Sequence, residues 1–284
     1  MSMTQHTRAQ SKKVGIIAGR GRLPAAFALA ARRAGFDPVV VAVAPSYDPE
    51  LESAAADFRR VELGGLEEAL SFLTARGVDE VVLLGKVDKA ELFSGLRPDG
   101  RLQKVLAAAR DGSDAAILGA LCAELERAGL VVRPQAHFLE RLLAREGVYT
   151  QRAPSADEWR DVVYGVEMAQ KAAALGIGQA VAVKSRTVVA VEAVEGTDQT
   201  IRRAGELAGA GFVVAKASKA DQDPRLDLPT VGPDTLRALA AAGGKVLAVE
   251  AGRCFVIDED EAVRVADQAG ISVVGVRPDG ADGA

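Results

Sequence analysis

Short runs of apolar residues, set between helix-like stretches, constrain this chain most. Val14-Gly-Ile-Ile-Ala18, Val39 to Ala44 and Glu80-Val-Val-Leu-Leu84 carry almost no polar residue on either side-chain face. A strand of that kind must be covered on both faces, and the helices between strands are what cover it. Leu66–Arg76 and an alanine-rich stretch from Ala25 to Arg33, stopped by Gly35, supply them. The expectation is α/β: an N-terminal Rossmann-like domain built on a parallel sheet.

Gly19-Arg-Gly21-Arg-Leu-Pro24 follows the first run directly. A strand, a glycine turn and a helix N-terminus make an anion site, because main-chain N–H groups and the helix dipole converge there. Pro24 suits a first helical turn, where its missing N–H costs nothing. The dinucleotide fingerprint is incomplete, since proline stands where the third glycine belongs and the next run ends without a ribose-binding acid. That disfavours an NAD-dependent oxidoreductase. Gly19, Arg20, Gly21, Leu23 and Pro24 are therefore candidate contacts for a phosphorylated ligand. Lys86, at the C-terminal end of its strand, is another.

Further along, Leu102–Arg110 and Ala115–Arg127 read as helices, the second capped by Ser113 or Asp114. Leu130–Val132 reads as a strand and His137–Ala144 as a helix. Residues 147–155 read as a linker. Beyond them, Ser155 or Asp157 starts a long helix whose core face is Trp159, Val162, Val163, Val166 and Ala169. A hairpin is expected from Ala180–Val183 and Thr187–Ala193, with Thr197 capping the helix that follows. A second hairpin is expected from Lys245–Glu250 and Phe255–Asp258, and a last strand at Val273–Val276. The expected division is a tail at 1–13, the first domain at 14–146, the linker at 147–155, and a mixed α+β catalytic domain at 156–284.

Composition removes several functions. With 35 basic and 39 acidic residues the formal net charge is −4, which argues against a nucleic-acid binder. Two cysteines, Cys122 and Cys254, read as buried free thiols of a reducing compartment. The absence of a signal-like or spanning apolar segment leads to the expectation of a soluble, cytoplasmic protein. Only two histidines are present, His6 and His137, so a histidine-rich metal cluster is hard to assemble. Any metal should be a hard cation on carboxylate oxygens, with Mg2+ the default.

The segment Val214–Gly232 has neither helical nor strand periodicity and mixes Lys216, Lys219, Arg225 and Asp227 with Asp221, Gln222 and Asp223. Glutamates beside tight glycine turns occur twice nearby, in AVEAVEGTD at 190–198 and AVEAGR at 248–253. Phosphoryl hydrolysis needs carboxylates for a cation and water, and basic groups for phosphate.

IIAGRGRLP, GQAVAV, VEAVEGTD, AKASKADQDPRLDLPTVGPDT and VEAGR, in this order over nearly the whole chain, resemble the UDP-2,3-diacylglucosamine pyrophosphatases of the LpxI type. The resemblance implies a hydrolase of lipid A biosynthesis that splits UDP-2,3-diacylglucosamine into UMP and 2,3-diacylglucosamine 1-phosphate with a divalent cation. It also implies a Rossmann-like domain and an unrelated C-terminal domain with substrate between them. Asp227 takes the acid of the family's D-L-P-T motif, as the essential residue, acting as a metal ligand with Glu192 and Glu195 or as the carboxylate that positions water. Lys216, Gln222 and Arg225 join it as catalytic candidates, with Asp221 and Asp223 solvent-facing. Gln179, Thr197, Asp198, Thr230 and Arg253 are expected substrate contacts. The family's K-P-x-Q reads Lys219-Ala-Asp-Gln222 here, keeping Gln222 in register. The expected partners are a lipid-linked UDP-sugar and the inner face of the inner membrane, touched peripherally. A homodimer is a possible assembly. The alternative reading is a nucleotide-binding regulator without catalysis.

Overall fold

The computed structural model describes residues 11–43, 46–87 and 96–277. Residues 1–10 of the expected tail (1–13) and the end of the second strand at Ala44 lie outside them, while Lys12 and Lys13 of that tail begin the first strand. The chain divides into two compact units that part between Leu139 and Glu140, with Ser113–Ala115 grouped with the second.

The first unit runs β1 (Lys12–Ala18), α1 (Leu23–Arg33), β2 (Phe36–Ala42), α2 (Pro49–Ala54), β3 (Asp57–Arg60), α3 (Leu66–Ala75), β4 (Glu80–Leu84), α4 (Gly100–Ala108), α5 (Asp114–Arg127) and β5 (Val131–Val132). Its five strands form one parallel sheet in the order β3-β2-β1-β4-β5. The apolar runs are its three central strands; Val14, Ile16, Val40 and Val82 have no exposed surface. β3 escapes sequence reading because an edge strand of sequence Asp-Phe-Arg-Arg needs no apolar alternation. The helix expected at His137–Ala144 is absent: only Glu140–Leu142 makes a 3-10 turn. Phe138 takes φ +68°, incompatible with a helix, and its ring lies 4.9 Å from Phe36 and 5.5 Å from Phe27.

The second unit contains β6 (Gly147–Val148), α6 (Ala156–Ala174), β7 (Ala180–Lys184), β8 (Thr187–Val191), α7 (Thr197–Ala208), β9 (Val213–Lys216), β10 (Thr230–Val231), α8 (Pro233–Ala241), β11 (Val246–Glu250), β12 (Phe255–Val256), α9 (Glu259–Ala269) and β13 (Ser272–Val276). A six-stranded mixed sheet has the order β6-β13-β11-β9-β7-β8. β9, β11 and β13 are parallel, while β6, β7 and β8 each run antiparallel to a neighbour. Part of the expected linker is thus an edge strand, because Gly147 and Val148 pair with Gly275 and Val274.

α6 covers one face of this sheet. Ser155 and Glu158 form a capping box at its start, and Val162, Val166 and Ala169 pack on Val181, Val183 and Ala215. Each buried valine contributes about 1.5–3 kcal/mol. Val163, expected on that face, is 40% exposed. Ile201, Leu236, Leu239 and Ala266 of α7, α8 and α9 belong to the apolar cluster on the other side. The β7–β8 hairpin forms as expected. The second does not: Phe255 and Val256 pair in parallel with Thr230 and Val231, and β11 lies between β9 and β13.

Candidate active site

In the first unit, the glycine turn after β1 packs against the end of β4. Gly19 N–H donates to the Leu84 carbonyl (2.8 Å), Arg20 N–H to the Lys86 carbonyl (2.7 Å), and Lys86 N–H back to the Arg20 carbonyl (3.0 Å). A β-carbon on Gly19 would fall 2.4 Å from the Lys86 oxygen, and one on Gly85 2.6 Å from the Arg20 oxygen. Close approach of two loops is therefore what Gly19 answers, and the N–H groups of Gly19 and Arg20 serve that packing rather than an anion. Gly21, at φ +98°, is exposed and has open space around it. Leu23 and Pro24 are buried in the α1 face, where they build core and not a ligand surface. The Lys86 side chain is exposed.

The second unit brings together more of the expected residues, and its topology explains why. β9 and β11 end at one edge of the sheet, carrying Lys216 and Glu250 as their last residues. β7 is antiparallel to β9, so it begins at that edge, with Ala180 opposite Lys216 and Gln179 just before it. β8 returns antiparallel to β7 and delivers Glu192 to the same edge. The ends of parallel strands are where open α/β sheets place ligands.

There the side chains form a continuous network. Lys216, 4% exposed, donates from Nζ to Thr197 Oγ1 (2.9 Å) and to the Thr230 carbonyl (3.2 Å). Thr197 Oγ1 donates to Glu192 Oε1 (2.7 Å), and Glu192 Oε2 accepts from the Gln179 N–H (3.2 Å). Gln179 Nε2 donates to the carbonyl oxygen (2.7 Å) and to Oδ2 (3.0 Å) of Asp227, which is exposed. Thr197 does not cap α7: Gly196 holds that position without a side-chain cap, and Thr197 is buried as the bridge between a cation and a carboxylate.

Glu250, 1% exposed, is a site residue the sequence reading missed, although its motif stood out. Its Oε2 accepts from Ser218 N–H (2.7 Å), and its Oε1 lies 3.4 Å from both Gln170 Nε2 and Arg253 Nη1. Arg253 Nη2 donates to the Lys219 carbonyl (2.6 Å). The discoverable signal was an acid ending an apolar strand.

The loop between Ser218 and Pro229 is a run of turns. Gln222 Nε2 donates to the Leu226 carbonyl (2.6 Å), so its side-chain amide shapes the loop. Arg225 forks onto Asp223, with Nη2 2.7 Å from Oδ2 and Nε 3.0 Å from Oδ1. That guanidinium holds the Asp223 carboxyl below its ordinary range, and Asp223 is half-buried, not solvent-facing. Asp221 and Asp198 are exposed.

The expected metal ligands separate. Glu195 is engaged by Arg203 Nη2 (2.6 Å) and Thr200 Oγ1 (3.2 Å). Its own main-chain N–H, together with these partners, holds its carboxyl below the usual value. Glu192 is buried with both oxygens bonded. Among the described residues no group of three or more His, Cys, Asp or Glu side chains could hold one ion. The three-carboxylate set therefore does not fit as a ligand shell. Asp227, exposed at the same sheet edge, is the expected ligand that a hard cation could reach.

Comparison with known proteins bears on the whole chain. Residues 13–142 match the LpxI N-terminal domain and residues 145–274 the LpxI C-terminal domain. The UDP-2,3-diacylglucosamine pyrophosphatase LpxI of Caulobacter vibrioides is 35% identical over 280 residues, covering 94% of this chain and 98% of that protein. Two solved structures are similar at a TM-score of 0.27, too low to bear on the fold. They are the ADP complex of purK, N5-carboxyaminoimidazole ribonucleotide synthetase (15% identical, 71% of this chain, 45% of that one), and CobK precorrin-6A reductase (12%, 94% and 88%). With both domain types in order and a curated relative matched over 94% of this chain, it belongs to the LpxI family.

Proposed function

We propose that this chain hydrolyses the diphosphate of UDP-2,3-diacylglucosamine, giving UMP and 2,3-diacylglucosamine 1-phosphate in lipid A biosynthesis. The observation that carries the reading is the network from Lys216 through Thr197, Glu192 and Gln179 to Asp227, assembled at one sheet edge from separate motifs. Water adds to one phosphorus, the P–O–P bridge breaks, and the proton of the water leaves through a base. Asp227, the exposed carboxylate tied to Gln179 in this network, orients this water and accepts its proton. Arg253, beside the loop, supplies positive charge for the diphosphate oxygens, and the buried ammonium of Lys216 adds to the field from behind Thr197. A divalent cation, which Asp227 would help to hold, would supply Lewis-acid neutralisation of those oxygens. The substrate's acyl chains give the chain a reason for peripheral membrane contact; no helix among the described residues is long and apolar enough to cross a membrane.

The test is UMP release from UDP-2,3-diacylglucosamine and Mg2+ by the purified chain. Release should cease with EDTA and fall about 10²–10⁴-fold in Asp227→Ala, the range for loss of a general base. Tight binding of the nucleotide sugar without turnover would overturn the reading in favour of a regulatory binder.

A further inference from the structure

We infer that Gln179 is a positioning residue that sets the conformation of Asp227, and is not a substrate ligand. The inference rests on the reading of Asp227 as the reactive carboxylate. Gln179 is unusually well held. Its N–H donates to buried Glu192, and its carbonyl accepts from Ala217 N–H at 3.0 Å. The preceding Gly178 packs so tightly on Glu192 that a β-carbon would lie 2.1 Å from the Glu192 carbonyl oxygen. The main chain of residues 178–179 is thereby fixed to β8 on one side and to the exit of β9 on the other.

From that fixed point the side chain reaches a residue 48 positions away in the chain. Nε2 meets both the main-chain oxygen and the carboxylate of Asp227, at 2.7 and 3.0 Å. One amide nitrogen thus restrains both the backbone and the side chain of one residue. Asp227 takes φ +47°, in the left-handed region that aspartate tolerates better than most residues but still at a cost, which a fixed partner offsets. Both partners of Nε2 are acceptors, which settles the orientation of the amide. A carboxamide has two N–H donors, and both are spent on Asp227. The atom left over, Oε1, is an acceptor and would repel a diphosphate. Glu192, expected as a metal ligand, takes the place of a brace behind Gln179.

Steady-state kinetics of the full chain with UDP-2,3-diacylglucosamine separates positioning from binding. Gln179→Met keeps the length of the side chain and the main-chain bonds while removing the donor. Gln179→Glu keeps length and polarity but turns an acceptor toward Asp227, and serves as the second variant should Gln179→Met unfold on thermal melting. The expected result is a loss in kcat of about a hundredfold, the scale of a misplaced reacting group, with KM within about twofold of the native value. A tenfold rise in KM with kcat retained, or native values of both, would overturn the inference. Asp227→Ala measured alongside keeps the two readings apart. Native turnover in Asp227→Ala removes the reading of Asp227 itself, whereas loss there with a pure KM effect at Gln179 removes only the positioning role.

Discussion

Thr197 links the buried ammonium of Lys216 to the buried carboxylate of Glu192, and the two charges meet only through its hydroxyl. Replacing it with the isosteric valine leaves a donor and an acceptor unpaired where little water reaches. The expected cost is about 1–3 kcal/mol per abandoned group, read as a lower urea midpoint, and Thr197→Ser should restore most of it. Glu192 and Glu195 are three residues apart, yet one is buried in the network and the other paired with Arg203. Spacing within a motif cannot tell these fates apart. Asp227 was legible as a motif residue, but its left-handed backbone and its tie to Gln179 are products of folding.

The β7–β8 hairpin shows how an element reads correctly for incomplete reasons. Two β-rich runs around a tight turn pointed to it, but the turn residues, Ser185 and Arg186, sit at φ +52° and +56° without glycine. Such a turn usually takes Asn-Gly. Here Asp161 of α6 accepts from Ser185 N–H (2.8 Å) and Arg186 N–H (2.6 Å), so the turn is stabilised from across the packing interface. Asp161→Ala should therefore destabilise the second unit by about 1–3 kcal/mol, measured by denaturant unfolding, through the loss of two hydrogen bonds to a charged acceptor. The misread hairpin at 245–258 has the same look: apolar run, glycine turn, apolar run. β11 instead inserts between β9 and β13, and the short run at Phe255 finds Thr230. Pairing partners distant in sequence offer more buried area, and local pattern does not weigh that.

For the whole molecule, carboxyls set the acid limb of stability. Burial would raise Glu158, but the Ser155 N–H and Arg152 prevail and hold it below its ordinary 4.5. Glu195 and Asp223 are depressed for the reasons already given. A depressed folded value means the unfolded chain takes up protons first, so stability is complete above the ordinary carboxyl values of 4.5 and 3.8 and falls as pH drops below them. Urea midpoints should be flat from neutral pH down to about 5 and then decline. The Cys254 thiol, pushed up to about 12 by burial, works the other way: its contribution is present below 9 and is lost as pH rises toward 12. What the sequence determined by itself was the class of the fold, the sites of most helices, and the motifs from which the active edge is built. Apolar runs must be covered and caps and glycine turns act locally, so both are written in adjacent residues. The tertiary structure alone decided which glutamate joins Lys216, that Gly19 serves packing, and that Gln179 reaches Asp227. Each of those depends on strand order and direction in a sheet, and strand order is settled by total burial across the unit, which no local stretch of sequence encodes.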